Sequence, residues 1–490
     1  MAFDRFVEQL ETGDIIASLR AGIIGEGTSF ETPFGSKRLI YADYTASGRA
    51  LKQVEQFILD DVLPFYANSH TDASFCGAYI TDMREQGRAI IAQETNAGDD
   101  CSVIFSGSGA TSAINRLVAL TGIADLKDHS PPPVVFIGPY EHHSNILPWR
   151  EAGAKVIEIN EGENGGPDLE HLEEQLRGNA SSPLLIGSFS AASNVTGIIS
   201  QSEEITRLLK RHGALSFWDY AGAGPYLDMD MSPAVDRQKD AIVISAHKFV
   251  GGPGASGVLI VRNSVVKSKK PTWPGGGSVA YVSPWAHDYL TSIVQREEAG
   301  TPNIVGDIRA AAVFLVKKAI GTEFIEQRDQ QLRQRAEKTW GQNPQIQILG
   351  VDKRDRLPIF SLLVRNQMGG YIHHNLFTRM LSDISGVQAR GGCVCAGPYG
   401  HRLLGVDRAH SEAIRAAVRN GREIEKPGWT RLNFNYLMDD QTADHIIKSV
   451  DELAKAAPEM AQKYQRDIAG ARFFAAGQAG HTGHFEQRVG

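Results

Sequence analysis

Lys248 follows the apolar run AIVISA and His247 and precedes FVGGPGASG, so an amine leaves a buried strand and meets a glycine-rich loop. Desolvation lowers the pKa of such an amine and makes it nucleophilic. The plainer alternative is a strand-end lysine that reaches solvent. Asp219 ends another apolar run, LSFWDY, where a carboxylate either caps a helix or answers a cationic ring nitrogen. In PYEHHSNILPW, His142 and His143 stand at a turn, either as polar surface or above a flat ligand. The run SVIFSGSGATSAINRLV sets SGSGAT between a strand and an apolar helix. Backbone N–H groups near Ala110 and Thr111 there either close a capped turn or meet an anion at the helix N-terminus.

Such groups need a scaffold that presents them together. From Arg38 onward the runs LIYAD, SVIFSG, VVFIG, KVIEI, LLIGSFS, LSFWD, AIVISA and GVLIV alternate with helical patterns, which predicts an α/β sandwich with a largely parallel sheet. The lysine, the aspartate, the histidine and the small-residue loop then fall at strand ends of one sheet, where ligands bind. Before them, FVEQLETGDIIASLRAGI predicts one amphipathic helix, followed by a polar Gly- and Thr-bearing arm. After them come a long Ala- and Val-rich helix, GTPNIVGDIRAAAVFLVKKAI, then IFSLLVRN and the helical YIHHNLFTRMLSDIS and TADHIIKSVDELAKAA, a smaller α+β arrangement. The expected organisation is an arm over 1–35, a large domain over 36–305, a small C-terminal domain over 306–461 and a peripheral tail over 462–490.

Composition narrows the partners. With 50 basic against 57 acidic residues and a net charge of −7, the chain lacks the basic excess that nucleic acid or an anionic membrane would require. There is no long apolar run, and acids interrupt MAFDRFVEQLETGD where a leader would be apolar, so no membrane partner and a cytoplasmic location are expected. Cys76, Cys101, Cys393 and Cys395 are too few for a disulfide framework and form no CxxC pair. His373 with His374, or His481 with His484, match no standard zinc spacing alongside the paired cysteines, and no metal is expected.

Read in order, SGAT, EHHSNILPW, SNVTG, DYAGA, SAHK, GPGASG, GGGS and EAGTPN resemble the class V aminotransferase family, and within it the cysteine desulfurase and selenocysteine lyase branch. The similarity runs from about Tyr41 to about Tyr436. It implies the pyridoxal 5'-phosphate (PLP)-dependent transferase fold type I: a large domain whose mainly parallel central sheet is sandwiched by helices, plus a smaller α+β C-terminal domain. By this resemblance Lys248 holds PLP as a Schiff base, Asp219 pairs with the pyridine nitrogen, and His142 stacks on the ring and moves protons. Ala110, Thr111, Ser245 and His247 would hold the phosphate, and Thr301 of EAGTPN would reach the phosphate of the neighbouring subunit in a homodimer with a shared active site. Arg431 in GWTRLNFNY resembles the arginine that grips the substrate α-carboxylate, assisted by Asn194 beside the cofactor. In QARGGCVCAGP, Cys395 aligns with the desulfurase nucleophile, with Arg390 as a charge to hold its thiolate; a structural thiol pair on a loop is the alternative.

The chain departs from the family pattern at three places. Gly222 stands where the family has a glutamine near the ring oxygen, and NSHTDAS around His70 lacks an arginine common there. The segment between Cys395 and Arg431 is long, and GCVCAGP is similar to a string of molybdenum cofactor sulfurases. The implied function is a PLP-dependent, cysteine desulfurase-like enzyme that moves sulfur from L-cysteine or a related amino acid onto Cys395 and leaves alanine, with a sulfur-acceptor protein as a further partner. Two other readings are a PLP-dependent C–S lyase, β-eliminase or aminotransferase-like enzyme, and a non-catalytic sulfur carrier or assembly partner.

Overall fold

The computed structural model describes residues 2–476 apart from 12, 70, 354 and 394. His70, His481 and His484 therefore lie outside the described residues. The chain forms two compact units: one from Met1–Ile24, Tyr44–Gln331 and Asp352–Pro358, the other from Gly25–Asp43, Leu332–Val351 and Ile359–Gly490.

In the first unit the apolar runs become a seven-stranded sheet: β1 (Cys101–Gly107), β2 (Val134–Ile137), β3 (Lys155–Glu158), β4 (Leu185–Ser190), β5 (Leu215–Asp219), β6 (Ala241–Ser245) and β7 (Gly257–Arg262). Their spatial order is β1-β7-β6-β5-β4-β2-β3. From β3 to β6 every pairing is parallel, and β7 alone runs back, antiparallel to both β6 and β1. Strands buried on both faces read as continuous Val/Ile/Leu/Phe runs, which is why these segments carry no polar alternation. Helix α1 (Phe75–Glu94), helix α2 (Gly109–Leu120) and helix α3 (Ile304–Ile320) belong to this unit. Ala113, Ile114 and Leu117, spaced to share one face of α2, are buried with Val135, Phe217, Val243 and Leu259 of the sheet. Each of these side chains larger than alanine contributes about 1.5–3 kcal/mol on burial.

A buried ionic network ties α1, α3 and β1 together. Arg84 donates to Asp307 at 3.0 Å and to Glu298 at 2.8 Å, Arg88 reaches Glu298 at 2.9 Å, and the Phe105 N–H donates to Glu298 at 2.8 Å. The residue near which the sequence suggested a domain boundary, Gly306, lies in the first turn of α3, well before the units change at Gln331 and Leu332.

The N-terminal segment folds as two helices, Ala2–Leu10 and Ile15–Gly22, where one was expected. Asp14 starts the second by accepting the Ala17 N–H at 3.1 Å, an N-cap that the helical periodicity conceals. Phe3 and Phe6 are buried, with ring centroids 5.3 and 4.8 Å from Phe57.

The second unit is built on an antiparallel sheet of β8 (Ile346–Ile348), β9 (Ile359–Val364), β10 (Arg390–Gly392) and β11 (Trp429–Asn433), in the order β8-β9-β11-β10. Helix α4 (His374–Ser385) packs on β10 and β11 and against helix α5 (Asp440–Met460). The run LIYAD, expected among the strands of the main sheet, instead supplies Ile40–Tyr41, which pair in parallel with Val387–Gln388. The polar stretch before it forms a hairpin, Ser29–Thr32 with Gly35–Arg38. Between Cys395 and Arg431 lie helices Gly397–Leu403 and Arg408–Arg419. Tyr464–Asp467 and Arg472–Ala475 form a closing hairpin with Phe473 and Ala475 buried.

Among the described residues, no helix is long and apolar enough to cross a membrane. None of their His, Cys, Asp and Glu side chains gather three or more to a metal position. His373 and His374 instead stack, with ring centroids 4.2 Å apart.

Candidate active site

The carboxyl ends of β1, β2, β4, β5 and β6 open on one side of the sheet, and a cavity of about 180 Å³ lies there. It is lined by Ala110 and Thr111 after β1, His142 after β2, Asn194 after β4, Asp219 at the end of β5, and Ser245, His247 and Lys248 at the end of β6. Eight of the residues singled out in the sequence thus converge on one space.

Each is held by identifiable contacts. The Ala110 N–H donates to Ser245 Oγ at 3.0 Å, and Thr111 Oγ1 and Ser144 Oγ are 2.7 Å apart. The Ser108 side chain makes no capping hydrogen bond at the start of α2, whose first residues, Gly109, Ala110 and Thr111, line the cavity. Gly109 has φ +64°, and a Cβ there would press on Ser245 Oγ at 3.2 Å and the His247 ring at 3.5 Å. His142 Nδ1 accepts the Ser144 N–H at 3.1 Å, which leaves the proton of a neutral ring on Nε2.

Asp219 is buried and accepts the Ala221 N–H at 2.7 Å. Burial raises its pKa, against the pull of the Ala221 N–H and the positive charge of Lys248. Burial and the neighbouring Lys248 charge push His247 down to about 4, so its ring is neutral at physiological pH. Lys248 closes a 3₁₀ turn, Ala246–Lys248, that is pinned from outside: the Gly48 N–H donates to the His247 carbonyl at 2.9 Å. A Cβ on Gly48 would stand 1.8 Å from the Phe249 carbonyl, so only glycine permits this approach.

The sequence reasoning missed Ser144 and Ser190, which also line the cavity, and Glu141 beneath it. Glu141 accepts from Asn145 at 2.7 Å, from the Ser190 N–H at 2.8 Å and from Ser190 Oγ at 2.6 Å. It therefore ties the loop bearing His142 to the end of β4. The i, i+4, i+8 spacing of Glu141, Asn145 and Trp149, linked by hydrogen bonds, was the available signal. At Gly222 a Cβ would find Ala192 and Asn194 atoms only at 3.7 Å and beyond, so packing does not require glycine there.

The remaining expected residues lie elsewhere. Thr301 is exposed and does not line the cavity of its own chain. In the second unit, Arg431 on β11 is 3% exposed and donates to Asp43 at 2.9 Å, and Arg390 donates to the other oxygen of Asp43 at 2.9 Å. Cys395 is exposed at φ +60°, a left-handed conformation uncommon for a residue with a side chain.

The cavity fits PLP on its own chemistry: an amide cradle that a Cβ at Gly109 would crowd, an amine, an imidazole, and a buried carboxylate that a cationic nitrogen would relieve. Together with the mostly parallel seven-stranded sheet, this is the architecture of PLP-dependent enzymes of fold type I. The family model "Aminotransferase class-V" matches residues 40–424. A probable cysteine desulfurase of Pyrococcus abyssi is 30% identical over 304 residues, 61% of this chain and 72% of its own. One of Halalkalibacterium halodurans is 28% identical over 365 residues, 74% of this chain and 84% of its own. Among solved structures, the apo cysteine desulfurase of Thermococcus onnurineus NA1 superposes with a TM-score of 0.70 at 24% identity, covering 85% of this chain and 95% of that one. The Escherichia coli cysteine desulfurase CsdA gives 0.67 at 21% identity, covering 85% and 94%; at these identities the likeness is one of fold. The chain belongs to the class V aminotransferase family and is a PLP-dependent enzyme.

Proposed function

We propose that the chain is a cysteine desulfurase that takes sulfur from L-cysteine or a close relative as a persulfide on Cys395 and leaves alanine. The observation that carries the proposal is an exposed cysteine held at a left-handed turn, in a chain whose other unit holds the lysine, aspartate and histidine around one cavity.

PLP bound in that cavity would supply an electron sink for the substrate Cα. Lys248 Nζ would hold the cofactor and carry the Cα proton, and Asp219 would balance a positive ring nitrogen. His142, with its proton on Nε2, is oriented by Ser144 for ring contact and proton transfer. Ala110, Thr111, Ser245 and neutral His247 would hold the phosphate, and Thr301 would serve that of a second copy in a homodimer. Asn194 and Arg431 bind the substrate carboxylate. Arg431 keeps one donor on Asp43, which fixes its planar fork for a two-pronged grip. Cys395 attacks the substrate sulfur: an S–S bond forms, the carbon–sulfur bond breaks, and its electron pair stays on carbon and is protonated. We place this reaction in the cytoplasm, with a sulfur-acceptor protein as the next station.

A second reading, a C–S lyase or β-eliminase acting on another amino acid, is favoured by Gly222, which leaves space beside Ala192 and Asn194. Incubating the PLP-loaded protein with L-cysteine and a thiol reductant separates the two. The desulfurase gives sulfide and alanine, and Cys395→Ala lowers both by about 100-fold or more, as loss of a nucleophile does. Full turnover by Cys395→Ala selects the lyase; absence of sulfide and alanine from the wild type ends the desulfurase reading.

A further inference from the structure

The desulfurase reading leaves one thiol near Cys395 in sequence without a task. Cys393 is half-buried, two residues before exposed Cys395. Beyond β10, which ends at Gly392, the Ala396 N–H donates to the Cys393 carbonyl at 3.1 Å, an i to i+3 hydrogen bond of the kind that closes a tight turn. Cys395 is the third residue of that turn, at φ +60°. Such a φ is what the third position of some tight turns demands, and it is ordinarily given to glycine or asparagine. A side chain kept there costs on the order of 1 kcal/mol.

The turn decides how far apart the two thiols stand. Two consecutive Cα steps of about 3.8 Å, folded back on themselves, leave the Cα atoms of residues 393 and 395 roughly 5–6 Å apart. That is inside the range of about 4.4–6.8 Å that a disulfide spans. A continued strand would carry them toward or past the far end of that range, at about 3.3 Å per residue. The Cα separation that this hydrogen bond imposes is therefore compatible with a bond between the two thiols.

We propose that Cys393 is a resolving thiol that discharges the Cys395 persulfide as sulfide within the chain. The inference rests on the reading of Cys395 as sulfur acceptor. The Cys393 thiolate attacks Sγ of Cys395; the Cys393–Cys395 bond forms, the bond to the outer sulfur breaks, and its electron pair leaves with hydrosulfide. Both cysteines end as disulfide, the outer sulfur ends as sulfide, and no oxidant is consumed. Hydrosulfide is a better leaving group than a cysteine thiolate, which favours attack on the inner sulfur over transfer of the outer one. A disulfide in so small and exposed a loop is readily reduced, so a dithiol reductant, small or protein-borne, resets the pair. The enzyme then generates free sulfide with a reductant as co-substrate and can do so without an acceptor protein.

The test is a single turnover of PLP-loaded protein with less than one equivalent of L-cysteine per site and no reductant, so that no free thiol can strip the persulfide. Alanine, sulfide and the mass of the 390–402 peptide are followed in the wild type and in Cys393→Ser. The wild type is expected to release sulfide in step with alanine and to show an internally linked peptide. Cys393→Ser is expected to form alanine while the added sulfur stays on Cys395 and sulfide is lost. Alanine from both proteins with a stable persulfide in both would overturn the resolving role and leave the desulfurase reading intact. So would sulfide from both to the same extent. If neither protein forms alanine, the failure belongs to the desulfurase reading itself, and the resolving role falls with it.

Discussion

Glu141 shows how much one unadvertised side chain can govern. Burial pushes its pKa up to about 7, with the hydrogen bonds from Ser190 and Asn145 pulling the other way. The fold therefore favours its protonated form, and between the ordinary carboxylate range and about 7 the folded chain binds more protons than the unfolded one. Its contribution to stability is present below that window and lost as pH rises through it. A rise from 4.5 to about 7 corresponds to about 3 kcal/mol, at about 1.4 kcal/mol per unit. Glu141→Gln should flatten the fall in urea midpoint between about pH 5 and 8 relative to the wild type; an unchanged profile would refute this. Of the groups around the cavity, Lys248 and Asp219 were legible because a polar residue at or just past the end of an apolar strand needs a reason, and His142 was set apart from His143 only by the family resemblance. Ser144, Ser190 and Gly48 were not, because serine and glycine are ordinary loop residues until the packing shows what they touch.

At the scale of elements, a close backbone approach sits where β7 begins. Gly257 pairs with Gly107 of β1 on one side and Ser245 of β6 on the other, and a Cβ there would stand 2.3 Å from the Gly109 carbonyl. Gly257→Ala must push back the first turn of α2, which carries the Ala110 and Thr111 amides. It should lower stability by about 1–3 kcal/mol and reduce bound PLP per chain, read from cofactor absorbance after gel filtration. Wild-type loading in this variant would show that the turn yields without opening the cradle. The strands themselves were legible, since seven apolar runs separated by helical patterns became the seven strands of one sheet. The reversal of β7 was not: a run such as GVLIV has the same pattern in either direction, and only the short GGPGAS connection from β6 hints that no crossover helix intervenes. LIYAD reads as a further strand of that sheet by the same pattern, and its pairing with Val387–Gln388 depends on residues more than three hundred positions away.

For the whole molecule, the chain order hides how the second unit is made. Residues 25–43, read in sequence as the end of an arm and the first strand of the large domain, supply that unit with a hairpin, the Ile40–Tyr41 strand and Asp43. Asp43 is the carboxylate that meets buried Arg431 and also Arg390. Removing the partner of a buried charge costs about 3–5 kcal/mol, a large part of the roughly 5–15 kcal/mol that holds a domain folded. A fragment starting at Leu332 should therefore show no cooperative thermal transition by circular dichroism. Joining residues 25–43 to its N-terminus through a flexible Gly/Ser linker should restore one, because those residues bring back both the strand and the counter-charge. If the fragment alone melts as sharply and at the same temperature as the linked form, the N-terminal segment is an accessory to a unit that stands without it, and Arg431 must find its compensation elsewhere. If only the linked form melts cooperatively, these nineteen residues, remote in sequence from the rest of the unit, set the arginine proposed to hold the substrate.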